Sequence, residues 1–236
     1  MASNVELCGT FKKSIVTVKY FLRENGLSLI LLLITVLTLG GQLLVGWHEF
    51  NNELNDFGRS PLTFSAYLSS GHCIESVFEN WESEFLQMGL YVILTVSLYQ
   101  RGSSESKSLD EPEEVDRTPS PTRENAPWPV RRGGWVLRLY QNSLSIAFFV
   151  LFALSFFLHA LGGVKQYNTE QMLKGKSELL TFGQFLMTSE FWFQSLQNWQ
   201  SEFLSVLSIV VLTIFLRQKG SPQSKPVDAP NEETGD

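Results

Sequence analysis

The sequence predicts an all-α membrane protein with four transmembrane helices, arranged as two parallel-repeat helical hairpins with short amphipathic helices in the external loops. Three observations predict this fold class: two long uncharged apolar runs, an internal repeat, and an uneven distribution of basic residues. The mean hydropathy of +0.01 hides the pattern because polar segments separate the apolar runs.

Two apolar runs are long enough to cross a bilayer. Residues 27–46 read LSLILLLITVLTLGGQLLVG and residues 143–163 read SLSIAFFVLFALSFFLHALGG, with no acidic residue, lysine or arginine in either. At about 1.5 Å per residue, each covers about 30 Å, the thickness of the hydrocarbon core. The first run is longer than the apolar core of a secretory signal and no A-x-A-like site follows it, so we expect an uncleaved span.

An internal repeat divides the chain. Shifting the sequence by 118 residues aligns 62–107 with 180–225, and 19 of these 46 positions are identical. The clearest blocks are NWESEFL at 80–86 over NWQSEFL at 198–204, and QRGSSESK at 100–107 over QKGSPQSK at 218–225. Upstream the shift is 117, which aligns Asn51 with Asn168; both are predicted to serve in a loop or helix cap. The sequence therefore predicts a duplicated protein.

Each repeat pairs a long span with a shorter one. We predict a first repeat at 1–101 with spans at about 27–46 and 85–100, and a second at 135–218 with spans at about 143–163 and 203–217. Apolar residues at helical spacing before the shorter spans extend those helices backward. Residues 102–134, with five prolines, are predicted to be a disordered linker, and 219–236 a disordered tail.

Basic residues flank the predicted spans mostly on one side, although the second external loop is mixed and contains Lys165, Lys174 and Lys176. The loop between the first two spans has one basic residue, Arg59, and seven acidic residues. This asymmetry predicts that both termini and the central linker are cytoplasmic, in a multi-pass protein of the plasma membrane. The basic residues outside that loop that support this orientation are Lys12, Lys13, Lys19, Arg23, Arg101, Lys107, Arg131, Arg132, Arg138, Arg217, Lys219 and Lys225.

The duplicated NW-x-SEF block supplies the first candidate site. Its residues are Asn80, Trp81, Glu84, Asn198, Trp199 and Glu202. Tryptophan at the membrane interface anchors a helix, and the acid can face water or backbone amides, which is the interpretation we favour. Alternatively, the two glutamates bind an ion or proton at the outer mouth of the bundle, since acids in a membrane are usually functional.

The repeat also aligns two polar residues inside the long spans, Gln42 and His159. In hydrocarbon, each needs a hydrogen-bond partner on another helix. We favour a role in joining helices; the alternative is a histidine that relays protons or responds to pH.

Other chemistry is not predicted. Cys8 and Cys73 and the three scattered histidines have no metal-ligand spacing, so no metal or cofactor is expected. Cys73 is expected to be accessible from outside. No nucleophile elbow or phosphate-binding loop is present, so we expect no enzyme. The net charge of −6 favours no nucleic-acid partner.

Several motifs resemble those of a known family. These are FLRENGLSL at 21–29, GWHEFNNE at 46–53, ENWESEFLQM at 79–88, PWPVRRGGW at 127–135, QNWQSEFL at 197–204 and RQKGSPQSKPVDAP at 217–230. The chain resembles, over nearly its whole length, a family of uncharacterised bacterial integral membrane proteins classed as a domain of unknown function. The resemblance implies a bacterial inner-membrane location and no particular activity.

These observations favour a structural or interaction protein of the cell envelope. The lipid bilayer is its expected partner, together with a second copy of the chain or other membrane proteins. The alternative is a small transporter or channel that uses the paired carboxylates Glu84 and Glu202. A membrane enzyme is the third hypothesis, and it lacks a reactive cluster to support it.

Overall fold

The computed structural model describes residues 2–235, with side chains from residue 19 onward, and Cys8 therefore lies outside the described side chains. This part of the chain is helical and contains no strand. The α-helices are α1 (Ala2–Asp56), α2 (Phe64–Tyr67), α3 (Gly71–Ser97), α4 (Trp128–Arg132), α5 (Gly134–Gln141), α6 (Ser143–Leu173), α7 (Phe182–Phe185) and α8 (Ser189–Phe215). A single 3₁₀ turn spans Glu114–Asp116.

The chain divides into two compact units, one up to Leu68 and one from Ser69. In the first unit, the loop after α1 folds back on that helix. The amide of Asn51 brackets the backbone of Leu62, accepting from its N–H at 2.6 Å and donating to its carbonyl at 3.0 Å. The indole of Trp47 donates to the same carbonyl. Phe50 and Tyr67 are buried beneath this turn.

In the second unit, α3 lies between α6 and α8. It runs antiparallel to α6, because Gly71 lies against Gln166 at one end and Gly89 lies against Phe148 at the other. It runs parallel to α8: Glu75 and Gln87, in order along α3, contact Gln194 and Ser205, in the same order along α8. The first turns of α3 and α8 and the last turns of α6 therefore share one end of this unit.

An aromatic core fills that end. Ala160 and Val164 of α6 pack with Phe185 of α7 and Phe191 of α8, and all four are buried. Phe156 meets Phe191 edge to face, with ring centroids 5.3 Å apart. Edge-to-face contacts of this kind add to the free energy of apolar burial. This core holds the end of α6 against the start of α8.

The two repeats fold into matching turns. Asn168 brackets the backbone of Leu180 at 2.8 and 2.9 Å, as Asn51 brackets Leu62. The prediction that both asparagines lie in a loop or at a helix cap was therefore wrong: Asn51 lies within α1 and Asn168 within α6, and each side chain holds the loop that follows its helix. Thr63 and Thr181 cap α2 and α7, and Ser70 and Thr188 cap α3 and α8. Each capping oxygen accepts from a backbone N–H that the helix itself leaves without a partner.

A second pair of matching turns follows α3 and α8. The N–H of Gln100 donates to Ser106 Oγ at 2.9 Å, and the N–H of Gln218 donates to Ser224 Oγ at the same distance. Each turn contains a glycine in the left-handed region, Gly102 with φ 86° and Gly220 with φ 83°. Glycine adopts this conformation without a steric penalty, which explains its place in both copies of the motif.

The segments predicted to be disordered are hydrogen-bonded to each other near these turns. The N–H of Gly102 donates to Thr234 Oγ1 at 2.8 Å, and the N–H of Gly235 donates to the carbonyl of Ser103 at 3.1 Å. The amino group of Lys225 donates to three tail carbonyls and is buried. Polar contacts between segments so far apart in sequence are not visible in composition, on which the prediction of disorder rested.

Three helices, not four, are long and apolar enough to cross a membrane among the described residues: α1 from Lys19, α6 and α8. The helix α3 is not one of them, and it ends at Ser97, so it covers only residues 85–97 of the span predicted at 85–100. Its first half holds four glutamates, Glu75, Glu79, Glu82 and Glu84. Charged residues lower the hydropathy of a helix steeply, so the apolar second half alone falls short.

Cys73 is only 4% exposed, so the expectation that this thiol is accessible was wrong. It lies on the α3 face that also carries the buried Val77. The charged loop around it suggested solvent, whereas the helix periodicity places it inside.

Candidate functional site

A buried acid and a buried histidine meet between α3 and α6. Glu82 and His159 are both 0% exposed, and Nδ1 of His159 lies 2.7 Å from Oε2 of Glu82. The two residues are 77 positions apart in the chain. Burying a carboxylate costs several kcal/mol unless its oxygens are paired, so this contact requires further partners.

Those partners come from α8. The indole N–H of Trp199 donates to Oε1 of Glu82 at 2.9 Å, and Nε2 of His159 lies 3.3 Å from Oε1 of Gln194. The amide nitrogen of Gln194 in turn donates to Oε1 of Glu75 at 2.8 Å. The five side chains form one hydrogen-bonded chain across three helices, which we call the polar network.

Close packing of α3 against α6 brings the side chains of the polar network within hydrogen-bonding distance of each other. A Cβ on Gly162 would lie 2.4 Å from the backbone nitrogen of Glu75, and one on Gly71 would lie 2.2 Å from the backbone nitrogen of Gln166. Only glycine allows α3 and α6 to approach this closely at these two positions. The ring of Phe191 packs on His159 from α8, with centroids 4.9 Å apart, and closes the apolar side.

Glu75 is the network member nearest the charged end of α3, ten residues before the predicted span of that helix. Burial, with smaller contributions from the charges of Glu79 and Glu190, raises the pKa of this carboxyl to about 7. The hydrogen bond from Gln194 and the charge of His159 oppose this shift. Glu75 therefore exchanges a proton near neutral pH, which an exposed glutamate does not.

Of the predicted site residues, His159 and Trp199 belong to the polar network. Asn80 and Asn198 instead donate to the carbonyl four residues earlier in their own helices, at 3.0 and 3.1 Å. Trp81 is exposed and packs edge-on against Phe78.

The two carboxylates of the predicted pair, Glu84 and Glu202, differ in their exposure to solvent. Glu84 is exposed and Glu202 is half-buried, although the two are close enough for their charges to interact. The carbonyl of Glu202 accepts from the amide of Gln87, 2.8 Å away, which joins α3 to α8. In the first unit, Gln42 has an exposed side chain and a contact partner.

The sequence did not predict Glu82, Glu75 or Gln194 as site residues. Glu82 lies inside the duplicated block, but Gln200 occupies the equivalent position of the second block, so Glu82 is not a shared residue. The available signal was periodicity: Glu75, Glu82, Leu86 and Gly89 recur at seven, four and three residues, the spacing of one helix face.

The polar network can hold three helices in register and can carry a proton at its Glu75 end. No group of three or more histidine, cysteine or acidic side chains that could hold a metal ion occurs among residues 19–235. The contacts of the polar network support hydrogen bonding and protonation.

Comparison with known proteins gives the family. No curated protein and no solved structure matches the chain. One family model matches residues 18–236, nearly the whole length. The chain belongs to the family described as Domain of unknown function (DUF6766).

Proposed function

We propose that this protein is a multi-pass protein of a bacterial inner membrane with a structural or interaction role. The observation that carries the proposal is the pairing of the polar network. Both carboxylate oxygens of Glu82 and both ring nitrogens of His159 have protein partners, so none of these four atoms is left to bind a ligand. A buried pair whose polar atoms all have protein partners specifies one helix arrangement rather than a reaction.

Four spans fit this proposal, with residues 85–97 of α3 as the fourth. A run this short is near the lower limit for crossing a bilayer, and packing between α6 and α8 shields the acidic first half of α3. The antiparallel pairing of α3 with α6 and the parallel pairing of α3 with α8 agree with a linker and a C-terminal tail on the same side of the membrane.

Duplication is supported by the matched turns and by the contact of α3 with α8. The side chain of Gln87 donates to Ser205 Oγ at 3.0 Å, and these residues are equivalent positions of the two repeats, 118 apart. Equivalent residues that face each other are expected near a two-fold axis. Here that axis runs along the helices, as in parallel repeats.

Thiol labelling of intact cells tests the topology. In a Cys8→Ser background, Ser60→Cys in the exposed loop after α1 should react with a membrane-impermeant reagent from outside. The matched variant Ser120→Cys, in the exposed linker, should react only after lysis. Cys73 is buried and is common to both variants. Reaction of Ser120→Cys before lysis and of Ser60→Cys only after it would reverse the proposed orientation.

The second candidate function is ion or proton transport. Two observations favour it: Glu84 and Glu202 interact electrostatically, and Glu75 exchanges a proton near neutral pH. Transport would require these carboxylates to bind and release a cation in turn.

Flux through reconstituted liposomes separates the two functions. For a structural protein we expect proton and potassium flux equal to that of protein-free liposomes, because the paired polar atoms of Glu82 and His159 offer no free ligand group. The matched variants are Glu75→Gln and the double variant Glu84→Gln with Glu202→Gln. Flux that the wild type supports and either variant loses would establish transport and overturn the structural proposal.

A further inference from the structure

A short basic and aromatic segment lies directly before α6. It covers residues 128–141, reads WPVRRGGWVLRLYQ and contains α4 and α5. We call it the basic segment. Asn142 alone separates it from α6, which is one of the three helices long and apolar enough to cross a membrane. The basic segment therefore lies where the chain enters the hydrocarbon if α6 crosses the bilayer.

All the charges of the basic segment are positive. They belong to Arg131, Arg132 and Arg138, and no aspartate or glutamate occurs between Glu124 and Glu170. The three arginines are exposed, and none of their guanidinium groups forms an ion pair among the described side chains. Their positive charge is therefore available to an anion from outside the chain.

The basic segment is also apolar on one side. Trp135, Leu139 and Tyr140 are exposed and lie on one side of α5, and Arg138 lies outside that side. Trp128 of α4 is exposed as well. Tryptophan and tyrosine are enriched at the boundary between lipid headgroups and acyl chains, and an amphipathic helix with basic residues on its polar side lies in that boundary.

We propose that the basic segment binds the headgroups of anionic phospholipids in the leaflet in which α6 begins. The proposal rests on the proposed membrane location of the chain. The guanidinium groups form charge-assisted hydrogen bonds with phosphate oxygens, while the tryptophan rings lie just below the phosphates. Basic and aromatic groups are close enough for this arrangement, since the guanidinium carbon of Arg132 lies 5.9 Å from the ring centroid of Trp128.

An anionic lipid fits both parts of the basic segment. Free inorganic phosphate would neutralise the arginines but leave the apolar side of α5 in water. A zwitterionic lipid would cover that apolar side but carries no net charge to balance three arginines. An anionic lipid does both, and α6 holds the segment at the bilayer surface, where the lipid is concentrated. Each basic residue near an anionic leaflet strengthens the attraction about fivefold, the equivalent of about 1 kcal/mol.

Quenching of tryptophan fluorescence by brominated lipid tests the preference for anionic lipid. The full chain is reconstituted in liposomes of equal parts phosphatidylglycerol and phosphatidylcholine, with bromine on the acyl chains of one lipid or of the other. The signal of Trp135 is the difference between the wild type and Trp135→Phe. Both leaflets have the same composition, so the comparison does not depend on the orientation of the chain.

Trp192 is the internal control, and its signal is obtained in the same way from Trp192→Phe. It is exposed on α8 and packs against Phe156, about 20 Å along α6 from the basic segment. We expect phosphatidylglycerol to be preferred beside Trp135 by about fivefold or more, and not beside Trp192. Salt at 1 M should reduce the preference, because the Debye length falls to about 3 Å.

Removing the charges identifies their source. In the triple variant Arg131→Gln, Arg132→Gln and Arg138→Gln, the preference beside Trp135 should fall to about one. The matched control is Arg117→Gln with Arg123→Gln, which removes charge from the exposed linker and should retain the preference.

Three results would overturn the lipid proposal: equal quenching of Trp135 by the two brominated lipids, a preference that survives in the triple variant, or no quenching of Trp135 at all. Quenching of Trp192 by either lipid would show that the chain lies in the bilayer, so the lipid proposal can fail while the membrane location stands. Absence of quenching for every tryptophan would overturn both.

Discussion

Replacing Glu82 with alanine should lower the melting temperature of the detergent-solubilised protein by on the order of 10 °C. The substitution leaves His159 and the indole of Trp199 buried without their shared carboxylate. Removing one partner of a buried polar pair typically costs about 3–5 kcal/mol, since the remaining group stays desolvated and unpaired. A loss of this size shifts the melting temperature by roughly 10 °C in a protein of about this length.

The matched control is Glu84→Ala, two residues further along the same helix. Glu84 is exposed, so its removal should change the free energy of unfolding by less than about 0.5 kcal/mol. Melting can be followed through tryptophan fluorescence, with the elution profile after heating as a second readout. Equal melting of Glu82→Ala and Glu84→Ala would contradict the structural role of the polar network.

A third variant, Glu82→Gln, asks whether the pair needs its charge. Glutamine keeps an oxygen for the indole of Trp199, and its amide can donate to Nδ1 of a neutral His159. The second repeat has Gln200 at the equivalent position. Retained stability in Glu82→Gln would identify the interaction as neutral hydrogen bonding, and a loss equal to that of alanine would identify it as an ion pair.

The two long apolar helices were predictable because each is encoded by one continuous stretch of sequence. The apolar runs at 27–46 and 143–163 lie within α1 and α6, and a run of 20 apolar residues has few alternatives to a membrane helix. The ends of these helices were harder to predict from the sequence. The helix α6 continues to Leu173, ten residues beyond the predicted span, because its polar last turns pack against α3 and α7.

The burial of His159 was predictable from its place in an apolar run, but its partner was not. Glu82 comes from a segment that reads as an acidic loop, and only the pairing of α3 with α6 brings the two together. Contacts between residues far apart in sequence depend on which helices pair, and periodicity gives only the face that each helix buries. The unit boundary between Leu68 and Ser69 reflects the same pairing, and it falls inside the segment 1–101 that the repeat defines.

A second large effect on stability is expected where α3 packs against α6. Gly162→Ala should destabilise the protein by up to about 3 kcal/mol, because the added methyl group would lie 2.4 Å from the backbone nitrogen of Glu75 and 2.9 Å from the backbone carbon of Ile74. Backbone atoms cannot rotate away as a side chain can, so the helices must separate. Gly71→Ala tests the same crossing from the other helix, against the backbone of Gln166.

Gly40→Ala is the matched control for Gly162→Ala, since it lies inside α1 with nothing within 4 Å of an added Cβ. Alanine there should leave the melting temperature unchanged or raise it, because glycine inside a helix costs about 0.5–1 kcal/mol relative to alanine. Equal melting of Gly162→Ala and Gly40→Ala would show that α3 and α6 do not cross this closely.

The double variant Gly162→Ala with Glu82→Ala connects the glycine crossing to the polar network. If the crossing holds Glu82 against His159, separating the helices already weakens that contact, and removing the carboxylate then costs less than it does in the wild type. The two losses should therefore sum to more than the loss measured in the double variant, with a coupling of about 1 kcal/mol or more between neighbouring sites. Simple additivity would mean that the polar network forms without the close approach of α3 and α6, and its specificity would then have to come from α8 through Trp199 and Gln194.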